Sequence, residues 1–275
     1  MENWLTARTR ATPGRLALRH DGVSWDYAAL ARLVEQLAGG LAAAGVRPGD
    51  RVGALLPNGV LYAALVHALM RLGAVLVPLN TRLTVAELAW QVTRAGVALL
   101  LHSAETSSLA AEVVRQSPLQ RRAVEELPAC QSARPAQPVD LDAVQAIVFT
   151  SGTTGQPKGA MLTHANLTAN SMQMRLHNPE KRDRQERTTA VLPMFLVFAL
   201  TTVLNYSIDV AGEIVLLPRF EMEQFLASVK RKPPTTFFGV PTLYIAINDL
   251  PADKVPDLSE VRACISGGAP LPLEV

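Results

Sequence analysis

The chain has 275 residues, 49% of them hydrophobic, a formal net charge of +2 and two cysteines. That charge favours neither nucleic acid nor an anionic membrane as a partner. The widely spaced cysteines, Cys130 and Cys264, exclude a disulfide framework and a C-x-x-C redox pair, so a reducing, cytoplasmic setting is expected. The first residues, Met1 to Arg8, carry acid and arginine where a signal peptide would have its apolar core. The length holds one large domain or two ordinary ones, with enough apolar residues for a sizeable core.

In chain order, Tyr27, Leu30, Val34, Leu37 and Leu41 recur at helical spacing, and Gly45 supplies a stop. Arg51–Leu56 reads as a strand, Pro57-Asn58-Gly59 as a turn, and the next segment as a helix to Leu72. Ala74–Pro78 is strand-like. Thr84 caps a helix through Arg94, with Glu87 completing a capping box. Val97–Leu101 is a further apolar strand. Residues 127–139 hold three prolines and no periodicity, and read as a connector between a first α/β lobe (1–130) and a second (140–275).

The alternation resumes beyond that connector. Ala146–Thr150 is a strand, His164–Leu176 a helix and Thr188–Leu192 a strand. A helix around Phe195–Tyr206, strand Glu213–Leu217 and a helix from Glu221 follow. Strand Thr235–Val240, helix Thr242–Leu250 and strand Arg262–Ser266 close the series. Strands alternating with helices predict an α/β fold of parallel βαβ units in two parallel-sheet lobes with flanking helices. Two apolar runs approach membrane length, Val60–Leu79 and Val191–Ile208. The first holds His67, Arg71 and Gly73, and the second is split by Pro193, so both read as buried helix and strand rather than a span.

The stretch richest in chemistry is residues 150–159, Thr-Ser-Gly-Thr-Thr-Gly-Gln-Pro-Lys-Gly. It gathers the hydroxyls of Thr150, Ser151, Thr153 and Thr154, the glycines Gly152, Gly155 and Gly159, and Lys158. Glycines let turned backbone N–H groups approach an anion, hydroxyls add donors, and the ammonium suits phosphate. The loop hangs from a strand end, where open α/β sheets bind ligands. Its spacing matches neither a Walker A loop nor Gly-x-Gly-x-x-Gly.

That string, continued by Ala160-Met-Leu-Thr-His-Ala-Asn166, resembles the phosphate loop of the adenylate-forming superfamily. Gly45–Val52, Gly73–Leu83, Phe238–Thr242 and Ile265–Leu271 resemble the same family in matched order, so the likeness runs from end to end. It implies the fold of the family's large N-terminal domain. It also implies ATP-dependent activation of a carboxylic acid as an acyl-adenylate, then thioester formation with CoA.

By the resemblance, Thr150, Ser151, Gly152, Thr153, Thr154, Gly155 and Lys158 hold the ATP phosphates, with Lys158, Thr153 and Thr154 serving catalysis. Gly267, Gly268, Ala269 and Pro270 lie against the adenine. Leu196, Val197, Phe198, Val240, Gly267 and Gly268 line the acyl pocket. A Mg²⁺-binding glutamate, a ribose-binding aspartate and a C-terminal domain follow this region in the family, so the chain is expected to be a fragment, inactive alone and poorly soluble. No metal-ligating residue is assigned within it, and His20, His67, His102 and His177 lack metal-site spacing. His164 fits a Thr-His-x-Asn pattern and is expected to organise a helix start.

One departure stands out: Leu196 occupies a position where the family often has histidine, and leucine cannot hydrogen-bond a carboxylate. Opening segments resemble both o-succinylbenzoate–CoA ligases and medium- or long-chain acyl-CoA synthetases, without choosing the acid. Two alternatives stay open: a truncated or degenerate nucleotide-binding relative without turnover, and an amino-acid adenylation domain.

Overall fold

The apolar runs become strands and helices in the expected alternation in a computed structural model, which describes residues 3–128, 139–150, 156–177 and 185–275. The chain opens with α1 (Trp4–Ala11), capped by the Asn3 side chain, which accepts from the Leu5 N–H at 2.9 Å. β1 (Leu16–His20) and β2 (Val23–Asp26) then form a hairpin that the spacing did not predict. Its turn is Asp21-Gly22, both at positive φ, the geometry a tight hairpin requires. Asp26 caps α2 (Tyr27–Ala43) by accepting from the Ala29 N–H. The stripe read from the sequence is the buried face of α2: Tyr27, Leu30, Val34, Leu37 and Leu41 are all in the core. Each such side chain contributes roughly 1.5–3 kcal/mol of burial.

The parallel series follows: β3 (Arg51–Leu55), α3 (Val60–Leu72), β4 (Val75–Pro78), α4 (Val85–Ala95), β5 (Leu99–His102), α5 (Ser107–Gln116) and β6 (Gln120–Ala123). The capping box of α4 is present, with the Thr84 N–H donating to Glu87 Oε2 at 2.8 Å and the Glu87 N–H to Thr84 Oγ1 at 3.3 Å. Beyond come β7 (Val144–Thr150), β8 (Lys158–Thr163), α6 (His164–His177) and β9 (Arg187–Ala190). A π-helical stretch (Ala199–Asn205) runs straight into α7 (Tyr206–Asp209). The chain continues through β10 (Glu213–Leu216), α8 (Met222–Arg231), β11 (Thr236–Gly239), α9 (Pro241–Asn248) and β12 (Ala263–Ser266).

Among the described residues these strands form three sheets: β6-β5-β3-β4-β7-β8, β2-β1-β10-β9 and β11-β12. Their membership does not follow the division expected at residues 127–139, of which 129–138 lie outside the described residues. β7 and β8, read as part of a second lobe, complete the sheet begun by β3 to β6. β1, read with β2 as part of a first, pairs with β10 on one edge and with β2 on the other. The reason is edge closure. β4 is buried along its whole length, and without β7 beside it an apolar edge would lie open.

Side chains knit the same crossing. Buried Glu213 takes Arg19 at 3.0 Å and Arg187 at 3.2 Å, and the Tyr27 hydroxyl donates to the Gly212 carbonyl at 2.9 Å. No helix among the described residues is long and apolar enough to cross a membrane. Most of the apolar run Val191–Ile208 is core: residues 199–209 are buried throughout, while Leu196 and Val197 are exposed.

Candidate functional site

Thr150 ends β7, and Lys158 begins β8 directly opposite it in the antiparallel register. The Thr150 hydroxyl reaches the Lys158 carbonyl at 3.5 Å, and both residues are exposed. Lys158 and Gly159, read as loop, are therefore strand residues. Ser151, Gly152, Thr153, Thr154 and Gly155 lie outside the described residues. Tight packing pins the base of this hairpin. A Cβ on Gly159 would stand 3.0 Å from Ile147 Cγ2 and 3.4 Å from Phe149, whose ring meets Trp90 edge to face at 5.8 Å. β7 runs parallel to β4, so Thr150 lies at the carboxyl end of the parallel strands, where such sheets bind ligands. Lys158 makes no ion pair among the described residues, which leaves its charge available to an anion.

The second part of the site is an apolar wall. A Cβ placed on Gly267 would meet three Phe198 ring carbons at 2.8, 2.8 and 3.0 Å, so only a bare backbone fits against that ring. Gly268 has φ of +83°, and Val240 Cγ1 lies 3.5 Å from where its Cβ would be. The Gly267 N–H donates to the Gly239 carbonyl at 3.1 Å, which holds the turn after β12 to the end of β11. Phe238 meets the Phe198 ring edge-on at 6.4 Å. The structure thus brings Phe198, Val240, Gly267 and Gly268 together. Leu196 and Val197 precede them with 44% and 41% of their surface exposed, and Ala269 and Pro270 are exposed just beyond. Thr150 and Lys158 are carried by the six-stranded sheet, and the wall by the two-stranded sheet and the π-helical stretch.

The segment expected as an ordinary helix around Phe195–Tyr206 is π-helical over most of its length. The wider turn is supported by hydroxyls: Thr201 donates to the Val197 carbonyl at 2.9 Å and Thr202 to the Phe198 carbonyl at 2.7 Å. Such turns recur at functional positions.

Asn58 was read only as a turn residue, yet it holds the wall. Its Nδ2 donates to the Leu192 carbonyl at 2.9 Å, and its Oδ1 accepts from the Met194 N–H at 2.7 Å. The Tyr62 hydroxyl adds a bond to the Met194 carbonyl at 3.2 Å. A polar residue just past the apolar run 52–57 was the signal available in the sequence.

His164 is buried at the first residue of α6, and burial pushes its imidazole below the ordinary value. The helix start itself is organised by its neighbours. The Thr163 N–H donates to Asn166 Oδ1 at 3.0 Å and the Asn166 N–H to Thr163 Oγ1 at 3.2 Å. Among the described residues no group of three His, Cys, Asp or Glu could hold a metal ion.

A sequence profile described as AMP-binding enzyme matches residues 5–275. The chain belongs to the AMP-binding enzyme family. Feruloyl-CoA synthase from an Amycolatopsis species is 40% identical over 273 residues, covering 99% of this chain and 55% of that protein. The o-succinylbenzoate CoA synthetase of Bacillus subtilis, in complex with its acyl-adenylate intermediate, superposes with a TM-score of 0.89 at 30% identity over 100% of this chain and 55% of that one. The same enzyme in complex with ATP and a magnesium ion gives a TM-score of 0.85 at 28% identity, covering 97% of this chain and 69% of that one. The inhibitor-bound N-terminal domain of FACL13 from Mycobacterium tuberculosis gives 0.86 at 26% identity, covering 100% and 72%. These matches place the chain in the acid–CoA ligase branch, with the α/β fold of the N-terminal domain. The chain spans about half the length of the curated relatives it matches.

Proposed function

We propose that this chain supplies the ATP-phosphate grip and the acyl wall of an AMP-forming acid–CoA ligase whose acid is aromatic, of the hydroxycinnamate class. The observation that carries the reading is the contact of the bare Gly267 backbone with the Phe198 ring. It makes a flat, apolar face against which a planar acyl group can lie, and Val240 and exposed Val197 extend it. The 40% identity to a feruloyl-CoA synthase supports the same class.

In the proposed reaction the substrate carboxylate attacks the α-phosphorus of ATP. A P–O bond forms to the acyl oxygen, and the bond to pyrophosphate breaks. Such a step is governed by positioning and by stabilising charge on phosphoryl oxygens. Thr150 offers a hydroxyl and Lys158 an ammonium at the strand end, and both fit a polyphosphate. Ser151, Thr153 and Thr154 are proposed to add their hydroxyls, and Gly152 and Gly155 their N–H groups. Gly268, Ala269 and Pro270 are proposed to border the adenine. CoA then carries the acyl group away as a thioester, with AMP leaving. The described residues offer no carboxylate cluster for Mg²⁺, so no step is assigned through it.

The test is calorimetry on this chain with ATP and with a non-hydrolysable feruloyl-adenylate analogue. Both should bind, the analogue more tightly than its hexadecanoyl counterpart. Lys158→Ala should weaken ATP binding about tenfold or more, the scale of one charge-assisted contact. Folded chain that binds neither ligand, or Lys158→Ala that binds ATP as well as the parent, defeats the proposal. A second reading, a nucleotide-binding relative without turnover, is favoured by Leu196, exposed where the resembling family often has histidine. ATP binding by the full-length protein without any exchange of pyrophosphate into ATP for any acid would select it.

A further inference from the structure

β8 closes one side of the six-stranded sheet, and among the described residues no strand pairs with its outer edge. Native edge strands are guarded by proline, by charge or by a covering element. β8 carries neither proline nor charge along its middle: Lys158 stands at one end, and Gly159, Ala160, Met161 and Leu162 follow. Met161 leaves 68% of its surface to solvent.

α6 follows at once and carries the same signal. It packs against β8 and, on its inner flank, against the π-helical stretch and α7, so the opposite flank looks out past the sheet edge. His164, Leu167 and Ser171 are its buried residues, and Ser171 Oγ donates to Asp209 of α7 at 2.9 Å. On the outer flank Ala165, Ala169, Met172 and Leu176 recur at spacings of four, three and four, the period of a helix–helix seam. Met172 and Leu176 are 47% and 73% exposed. The one Lys, Arg, Asp or Glu in α6 is Arg175, and it turns inward to Asp209 at 3.8 Å. A surface helix ordinarily turns charge outward. This one turns out an uncharged apolar stripe, which is the composition of an interface core.

The two ends of β8 differ in charge. Lys158 marks its start. At its finish the Ala165 N–H donates to the Leu141 carbonyl at 2.8 Å and the His164 N–H to the Ala143 carbonyl at 3.0 Å, which holds exposed Asp140 and Asp142 beside that end. Neither carboxylate makes an ion pair among the described residues. Two β8 strands related by a two-fold axis run antiparallel, and each positive end then lies beside the other copy's negative end. A parallel pair would set like beside like. The lengths also agree, since six residues of strand and fourteen of helix each span about 20 Å.

We infer that β8 and α6 form the face on which a second copy of this chain docks. The two β8 edges join antiparallel into one sheet, and the α6 stripes pack against each other across the axis. A two-fold contact must be complementary to itself, and this face is: the open edge holds both donors and acceptors, the stripe is apolar throughout, and the charges at its ends are opposite. The inference does not rest on the proposed reaction, and its test leaves Lys158 in place.

The test is sedimentation velocity on the whole 275-residue chain, loaded from about 1 to about 100 µM, the range of modest subunit affinities. The expected result is a reversible dimer of twice the 29.6 kDa chain mass. Met161→Glu and Leu176→Glu, both at exposed positions, should each raise the dimer dissociation constant about tenfold or more. Asp142→Lys sets like charge beside like and should also raise it, most at low salt. Ile245→Glu, at an exposed apolar position on α9, should leave it unchanged. A chain that stays monomeric at about 100 µM overturns the inference. So does a dimer that survives Met161→Glu and Leu176→Glu together, or one that Ile245→Glu dissolves as readily. A dimer as tight in Asp142→Lys as in the parent overturns the antiparallel arrangement.

Discussion

Asn58→Ala should be the most damaging single truncation near the candidate site. Asn58 is buried, and it satisfies two buried backbone groups, the Met194 N–H at 2.7 Å and the Leu192 carbonyl at 2.9 Å. Alanine meets neither. A buried polar group left without a partner costs about 1–3 kcal/mol, so two set a range of about 2–6 kcal/mol. The departing amide leaves space for about one water, which can recover part of one bond. The expected loss is therefore about 2–4 kcal/mol. Urea unfolding at 25 °C measures it, with the midpoint falling and the m-value unchanged. The feruloyl-adenylate analogue should bind more weakly as well, because the segment that leads into Leu196, Val197 and Phe198 loses its anchor. A loss below about 1 kcal/mol would show that Asn58 does not hold this segment, and the account of the wall would fall with it.

Two further outcomes follow from the packing and the buried imidazole. Gly267→Ala puts a methyl 2.8 Å from the Phe198 ring, so the ring must swing away. Calorimetry should show the aromatic analogue weakened more than ATP, with a stability loss of about 1–3 kcal/mol; an analogue bound as tightly as by the parent would refute the part given to the Gly267–Phe198 contact. His67 has its folded pKa lowered by burial from 6.5 to about 4, so the unfolded chain takes the proton first. Its contribution is complete above pH 6.5 and is lost as pH falls toward 4, by about 3 kcal/mol in all. His67→Leu should flatten the fall in unfolding free energy across that window, and parallel curves for parent and variant would contradict the burial of an uncharged ring.

Local signals were legible where one periodicity dominates. The stripe of α2, the helix that ends at Leu72 and the Thr84–Glu87 box of α4 lie where the sequence put them. The hairpin of β1 and β2 was missed because Arg19, His20, Ser24 and Asp26 blur the alternation, although Asp21-Gly22 is itself a turn signal. β8 was missed because Lys-Gly-Ala-Met-Leu-Thr holds no β-branched residue before Thr163, and on this exposed edge strand burial does not reveal the pattern. The π-helical stretch could not be seen, since Ala-Leu-Thr-Thr-Val-Leu-Asn has the composition of any buried helix. At the candidate site, the hairpin proposed to hold phosphate was marked by its own composition, and the apolar wall only by family resemblance. The contact of Gly267 with Phe198 joins residues far apart in sequence, which no local spacing encodes.

The crossing of the sheets explains why the joint between grip and wall falls at Asn58. The hairpin that ends in Thr150 is fixed by β4, in a sheet built from residues 51–123 and closed by β7 and β8. The wall depends on the segment after β9, and β9 lies in a sheet whose other strands include β1, near the start of the chain. The six-stranded and four-stranded sheets each take strands from both sides of residues 127–139, whereas β11 and β12 both come from beyond it. The distance between the two parts is then set by whatever ties the carboxyl end of β3 to the segment after β9. Asn58 stands three residues past β3 and binds both Leu192 and Met194. Under the proposed function, a side chain so placed would help keep an acyl group and a nucleotide phosphate in register without touching either. On this argument, substitutions there should disturb the alignment of the two ligands more than the affinity for ATP alone.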